Sequence, residues 1–422
     1  MQVPFTKRNK AYGSELFLCT LSFALLLTSS ALGTLAIVGF LAPWGLIGLF
    51  HLREIPQIVT RNLGLLFIPY LAAISLTWSD DPMWTMRASA ELWLTFIVGI
   101  FAAELIAPRI FIASLQTALM SIAGMSLTVG ILNGQMRENI ALQGIYDSKN
   151  AFSAVMAILM IVSVTIVLDS HRSRVLRGAG CAGILVAPPL LILGQSIGAI
   201  FAVFFALLLF MLLRWVSRFR QAPVRFLVYL TICLLLMGGI ALLIVTETSP
   251  MGLLDVVGKD SSLTGRDYLW SRAFDIIRRQ PLFGVGYQSF WRIGNPDAEE
   301  LWSVSHVPSG AGFGFHNEYL DMLVALGTVG LVSMLTLFVT LAKRMAGAVL
   351  KPLDQKRSFA SLIFMLFMLR TPIEGGIFQQ FNIMAVLFCV AWSYLRPSRL
   401  TKACLRHDFS GTPSTVTQPR SQ

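Results

Sequence analysis

An arginine and a histidine about fifty residues apart carry most of the chemistry this chain offers. Arg266 lies in Thr264-Gly265-Arg266-Asp267, which opens an amphipathic stretch. Its guanidinium is permanently charged and grips a phosphate through two parallel hydrogen bonds. His316 precedes Asn317 at the expected start of a later apolar helix. A helix N-terminus presents partial positive charge, which disfavours imidazolium and keeps the ring neutral, as a general base requires. A neutral imidazole suits general-base work, and a guanidinium facing a lipid-linked substrate suits a diphosphate. Each residue alone also fits a plainer reading, that of a polar side chain at a membrane interface.

The surroundings of these two residues follow from composition. Hydrophobic residues make up 55% of the 422 and charged residues 13%, against roughly 25% charge in soluble domains. The fold class is therefore all-α and polytopic membrane. The net charge of +11 would suggest nucleic acid in a soluble chain. Here the basic residues gather in short loops between apolar runs, and no nucleic-acid partner is expected.

On the ruler of roughly 17–25 apolar residues per crossing, about 12 spans are expected. They lie at 14–31, 33–50, 63–78, 84–106, 110–132, 150–168, 177–194, 197–213, 225–246, 317–342, 359–371 and 377–395. KRNK at the start resembles the charged end of a signal peptide, but the apolar run continues without a convincing cleavage site and reads as a retained span. KRNK, HRSRVLR, RWVSRFRQAPVR, KRMAGAVLKPLDQKR and the tail fall on one face, which the positive-inside rule makes cytoplasmic, with both termini inside. The expected organisation is a membrane domain over 1–400, a large outer loop at 247–316 between the ninth and tenth spans, and a disordered cytoplasmic tail at 401–422. In the loop, Trp270, Ala273, Phe274 and Ile277 share one helical face and Pro281 ends that helix. Arg272, Arg278 and Arg279 read as solvated or headgroup-facing.

Other charged groups carry weaker signals. Arg87 and Glu91 are spaced to pair on the fourth span. Arg370 and Glu374 repeat the spacing, either lining an outer cavity or flanking a turn. Asp80-Asp81-Pro82 reads as a turn that caps a span rather than as a metal site. Cys19, Cys181, Cys233 and Cys389 lie in apolar runs and Cys404 in the tail, so no disulfide framework is expected. The sequence contains no GxxxxGK[ST], no HExxH, no paired DxD in the outer loop and no Cys/His cluster. No cofactor and no metal is expected.

Three stretches together resemble the O-antigen ligase and polymerase family, including its exopolysaccharide-polymerase branch. They are Thr264-Gly265-Arg266 with Trp270 and Pro281-Leu282-Phe283-Gly284-Val285-Gly286; Phe315-His316-Asn317-Glu318-Tyr319-Leu320 with Gly327 and Gly330; and Trp78-Ser79-Asp80-Asp81-Pro82 with Arg87. The resemblance implies a GT-C-like glycosyltransferase of the bacterial inner membrane, working at the periplasmic face without a metal. Its donor would be an undecaprenyl-diphosphate-linked oligosaccharide and its acceptor a growing glycan or lipid A core. The bilayer and other polysaccharide export proteins would be its further partners. His316 matches the family's base and Arg266 its diphosphate-binding arginine. Members often carry a second cation at the turn between the seventh and eighth spans. Here that turn reads Gln195-Ser196-Ile197-Gly198, so either Lys149, Arg137 or Arg370 supplies the charge from another loop or the diphosphate is held with one arginine fewer. Asn317, Gln195 and Ser196 complete the expected substrate-binding set. A polymerase acting on extracellular polysaccharide is favoured over a ligase onto lipid A core. A twelve-span transporter or flippase is the alternative from another class, but it predicts repeated halves that are not visible. A peptidoglycan polymerase of the shape, elongation and division type ranks last, because its catalytic acid has no clear counterpart.

Overall fold

The computed structural model describes residues 5–135, 140–216, 266–310, 313–349 and 354–397, and these are helical with no strand among them. The chain runs α1 (Phe5–Leu27), α2 (Ser29–Leu32), α3 (Thr34–Phe50), α4 (Ile55–Ile74), α5 (Pro82–Glu104), α6 (Pro108–Leu132), α7 (Lys149–Leu168), α8 (Arg174–Leu193) and α9 (Ile197–Val216). After the undescribed stretch come α10 (Arg266–Arg279), α11 (Pro296–Val304), α12 (Glu318–Val349), α13 (Gln355–Arg370) and α14 (Ile383–Tyr394). Local chemistry sets many of the starts: Asp81, Ser148, Ser173, Asp354 and Asn382 each accept a backbone N–H from the first turn that follows.

Seven of these helices are long and apolar enough to cross a membrane, namely Ile55–Thr77, α5, α6, α7, α8, α9 and Glu318–Ala348. They coincide with seven expected spans. Four more expected spans fall on α1, whose apolar part is Gly13–Leu27, and on the shorter helices α3, α13 and α14, and 225–246 lies outside the described residues, as do 247–265 of the loop and the tail from 398. One hydrophobic core runs through the bundle, with α13 at its centre: Phe359, Ala360, Leu362, Ile363 and Leu366 are fully buried.

Several boundaries differ from expectation, among them the starts of α4 and α14. α4 starts at Ile55 rather than 63, because Pro56 is tolerated in a first helical turn, where no backbone N–H is needed. The last span starts at Ile383 rather than 377. Residues 377–382 form a return whose backbone N–H groups are taken by side chains of the bundle: Ile377 and Phe378 donate to Glu318, and Phe381 to Thr95 Oγ1.

At one end of the bundle the polar excursion builds a second, smaller core from Leu269, Ala273, Ile276, Phe290, Leu301 and Trp302, closed by Phe315 and Leu320. The buried stripe of α10 is rotated from the expected one. Leu269, Ala273 and Ile276 are buried, Trp270 and Ile277 are partly so, and Phe274 is 49% exposed. The rotation follows from charge. Arg272 bonds Asp297 (3.2 Å) and Glu300 (2.7 Å), and Arg279 bonds Asp297 (2.5 Å), so the basic flank of α10 faces acidic α11. Arg272 is therefore paired rather than solvated, whereas Arg279 is paired but 60% exposed and Arg278 is 78% exposed beside Asp275.

The three family-like stretches meet here. Residues 281–287 thread between the Trp78 turn and α12. Trp78 Nε1 donates to Phe283 O, Asp80 N to Val285 O and Thr85 Oγ1 to Tyr287 O. On the other side Val285 N and Gly286 N donate to Val324 O and Ala325 O, while Thr328 N and Val329 N donate to Pro281 O and Leu282 O. This crossing needs Gly327, where α12 is kinked at φ 62° and a Cβ would lie 2.3 Å from the Leu282 backbone. It also needs Gly286, where a Cβ would meet Ser79 at 2.5 Å.

Candidate active site

Glu374 organises the polar end of the bundle. It stands in the turn after α13, and its Oε1 accepts from Arg266 Nη2 at 2.9 Å and from Asn150 Nδ2 at 2.7 Å. Its Oε2 faces His316 Nδ1 at 3.1 Å. Ser196 Oγ, 7% exposed, donates to Asn150 Oδ1 at 3.0 Å, which ties the starts of α7 and α9 to the same carboxylate. Arg370, 5% exposed at the end of α13, has an Nε with no hydrogen-bond partner among the described residues. Burial alone would raise the Glu374 carboxyl. The hydrogen bond and charge of His316, then Arg370 and Arg266, outweigh it and hold Glu374 below the ordinary glutamate range.

The His316 loop is fixed from below. His316 has φ 50°, a left-handed conformation that a side-chain-bearing residue adopts only when its neighbours impose it. Asn317 does so by capping α12: its Oδ1 accepts from Tyr319 N and Leu320 N, and its Nδ2 donates to Pro372 O. Glu318 N donates to Thr371 O, the Tyr319 and Thr371 hydroxyls lie 3.0 Å apart, and Asp321 Oδ1 accepts from Phe315 N. The loop with the histidine and the turn with the glutamate are thus stapled together.

Of the residues expected from sequence, His316 and Arg266 meet at Glu374, Ser196 reaches it through Asn150, and Arg370 packs close by. Lys149 lies half-buried next to Asn150 at the start of α7. Gln195 is exposed beside Ser196 with φ 49°. Asn317 serves as a helix cap, and Arg137 lies outside the described residues. Sequence spacing pairs Glu374 only with Arg370, and it does not single out Asn150. The available signals are an acid with two glycines after it between two apolar runs, and a polar amide in the first turn of a span. Arg87 bonds Glu91 at 3.0 Å with 67% of its side chain exposed, and lies over Trp84, which is a surface pair. Asp81 caps α5 through Trp84 N. Among the described residues no three His, Cys, Asp or Glu side chains gather in a metal-holding arrangement.

Among the described residues, the basic segment around Arg172 lies at the opposite end, where Arg172 donates to Arg109 O and Gln355 Oε1. These features define an all-helical, multi-pass membrane protein with a charged constellation at one end of its bundle. Residues 182–335, which include Arg266 and His316, match the O-antigen ligase family. The chain is also 28% identical over 411 residues to the exopolysaccharide production protein ExoQ of Rhizobium meliloti (strain 1021), covering 94% of this chain and 91% of that protein. Both matches agree with the resemblance to O-antigen ligases and exopolysaccharide production proteins carried by the three stretches of sequence.

Proposed function

We propose that the protein is a glycosyltransferase of the bacterial inner membrane that polymerises exopolysaccharide from an undecaprenyl-diphosphate-linked donor at the periplasmic face. The observation that carries this reading is Glu374 bridging His316 and Arg266. With the Nδ1–H of His316 donated to the carboxylate, Nε2 is left with a free lone pair. It takes the proton of an acceptor hydroxyl as that oxygen bonds the anomeric carbon of the donor. The bond from that carbon to the diphosphate oxygen breaks, and its electron pair leaves with the lipid diphosphate. Arg266 and Arg370 stabilise the charge that develops there, in a setting where fixed donors act more strongly than in water. Arg370 is thereby the cation that replaces the one missing at Ile197.

The name of the ExoQ relative favours a polymer product, whereas the matched family is described as O-antigen ligase. Both acceptors use the same donor chemistry. The orientation rests on the positive-inside rule applied to the basic segment around Arg172, at the end away from the site. The test is purified protein in detergent, supplied with lipid-diphosphate-linked repeat unit and no ion gradient. Elongated glycan and released lipid diphosphate are expected, and turnover should survive EDTA. Absence of any bond formation under these conditions, with donor translocation in vesicles instead, would return the protein to the transporters.

A further inference from the structure

At the end of the bundle away from Glu374, a cavity of about 670 Å³ lies between the starts of α6 and α13 and the ends of α7 and α9. That size is in the range of small-molecule sites, roughly 300–1,000 Å³, and the transfer chemistry makes no use of it. Three cations line it, each from a different helix: Arg109 of α6, Arg214 of α9 and Lys356 of α13. Against them stand two carboxylates, Asp169 and Asp354.

Both carboxylates are already engaged within the protein. Asp354 Oδ1 accepts from Arg357 N at 2.8 Å and caps α13. Asp169 Oδ1 accepts from His171 N at 3.0 Å, and its Oδ2 lies 3.6 Å from Nε of Arg172, whose side chain is 5% exposed. Arg172 thus balances Asp169 from inside the wall. Arg109 makes only a long contact of 3.9 Å with Asp169 and keeps 57% of its side chain exposed. Lys356 forms no ion pair among the described residues, and its ammonium lies 4.9 Å over the Tyr394 ring. Glu104, whose field reaches Lys356, is taken by Arg396 at 2.9 Å. The cations around the cavity are therefore in excess, and an anion among them relieves their mutual repulsion.

One border of the cavity is apolar. Leu168, half of it exposed, belongs to the lining. On α9, Arg214 follows the buried Phe210 by one turn, while Met211 and Trp215 on the adjoining face are exposed. Basic pockets between membrane helices take phosphate-bearing lipid headgroups, and here the acyl chains have an apolar face to lie along.

We propose that this cavity binds a phosphate group, supplied by an anionic lipid of the adjacent leaflet, through Arg109, Arg214 and Lys356. The bound headgroup ties α6, α9 and α13 together and stabilises the folded bundle by mass action. A free phosphate offers the cations the same charge but nothing to the apolar border. The site is independent of the chemistry at Glu374.

The probe is phosphatidylglycerol, added to the delipidated full-length protein in neutral detergent at about 0.15 M salt. Phosphatidylcholine of the same acyl chains and inorganic phosphate are the other arms. Native mass spectrometry counts the lipid retained, and the melting temperature reads stabilisation. Phosphatidylglycerol is expected to bind saturably and to raise the melting temperature more than phosphatidylcholine does. Lys356→Gln and Arg109→Gln should each weaken that binding about fivefold, and Lys356→Arg should keep it. Arg109 is exposed enough for its variant to fold even if the Lys356 variant does not. Arg278→Gln removes an exposed cation from α10 and should bind as the wild type does. Stabilisation by inorganic phosphate alone, lost in the same two variants, upholds the anion site with a soluble ligand as its source. A response to phosphatidylglycerol no larger than to phosphatidylcholine, with none to phosphate, overturns the site. So does phosphatidylglycerol binding that the folded Gln variants leave unchanged.

Discussion

His316 Nδ1 stands 3.1 Å from Oε2 of Glu374, fifty-eight residues further along the chain. The other oxygen of that carboxylate binds Arg266. One acid therefore fixes the orientation of the ring and the distance from the ring to the guanidinium. Correct placement of reacting groups is worth several kcal/mol of barrier (roughly 7–11 at its upper range), so the bridge matters beyond its own modest contribution to stability.

His316→Ala removes the base. Transfer should fall by about 10²–10⁴-fold, the usual span for general-base catalysis, with normal protein levels and an unchanged melting temperature in detergent. Retained turnover would remove the assignment, and a collapsed protein level would make the residue structural.

Glu374→Gln is the sharper test. A glutamine oxygen still accepts from Arg266, but its NH2 facing His316 turns Nδ1 into the acceptor and leaves the proton on Nε2, where the base is needed. Activity should drop by about two orders of magnitude or more, with most of the fold intact. The pH dependence of stability follows from the depressed carboxyl. A folded value below the unfolded one stabilises the protein at pH above the ordinary glutamate value of about 4.3. That stabilisation is lost as pH falls through the folded value. The melting-temperature gap between wild type and Glu374→Gln should thus be open above the ordinary glutamate value and close as pH falls below about 4. A gap that closes near neutrality would contradict the assignment.

Arg266→Lys keeps a charge beside Glu374 but loses the planar fork. The donor KM should rise and kcat fall, together by about tenfold or more, while thermal stability stays close to wild type. Arg370→Lys, at a site 5% exposed, should behave alike, and the double variant should depart from additivity because both guanidiniums face one acid. Wild-type kinetics in either single variant would argue against a diphosphate between them.

The histidine and Arg266 are legible in the sequence because each sits in a run of distinctive residues at an element boundary. Their meeting point is not. Glu374 lies in the turn after α13 and Asn150 in the first turn of α7, and only the packing of those helices brings them within 2.7 Å. The spans are legible as uninterrupted apolar runs. The starts at Ile55 and Ile383 escape such a reading because hydropathy reports burial and lipid contact rather than backbone conformation. Residues 377–382 lead straight into an apolar run, yet Glu318 takes the N–H groups of Ile377 and Phe378 and Thr95 that of Phe381. Likewise the apolar period of α10 points to Phe274, whereas the acids of α11 decide which flank turns inward.

The kink in α12 offers a test of how the excursion is held. Gly327 has φ 62°, and an alanine Cβ there would fall 2.3 Å from the carbonyl carbon and oxygen of Leu282. A left-handed side-chain-bearing residue costs about 1–3 kcal/mol on its own, and the clash is with backbone, which cannot rotate away. Gly327→Ala should therefore lower the melting temperature and also displace 281–287, which hydrogen-bond both the Trp78 turn and α12. The same helix starts directly after the His316-Asn317 loop, so transfer should fall with stability. Gly347, in the same helix, has open space for 4 Å around the position a methyl group would take, and serves as control. Gly347→Ala should leave activity alone and stabilise by up to about 1 kcal/mol through helix propensity. Equal melting temperatures for the two variants would mean that the crossing of 281–287 with α12 does not hold the excursion in place.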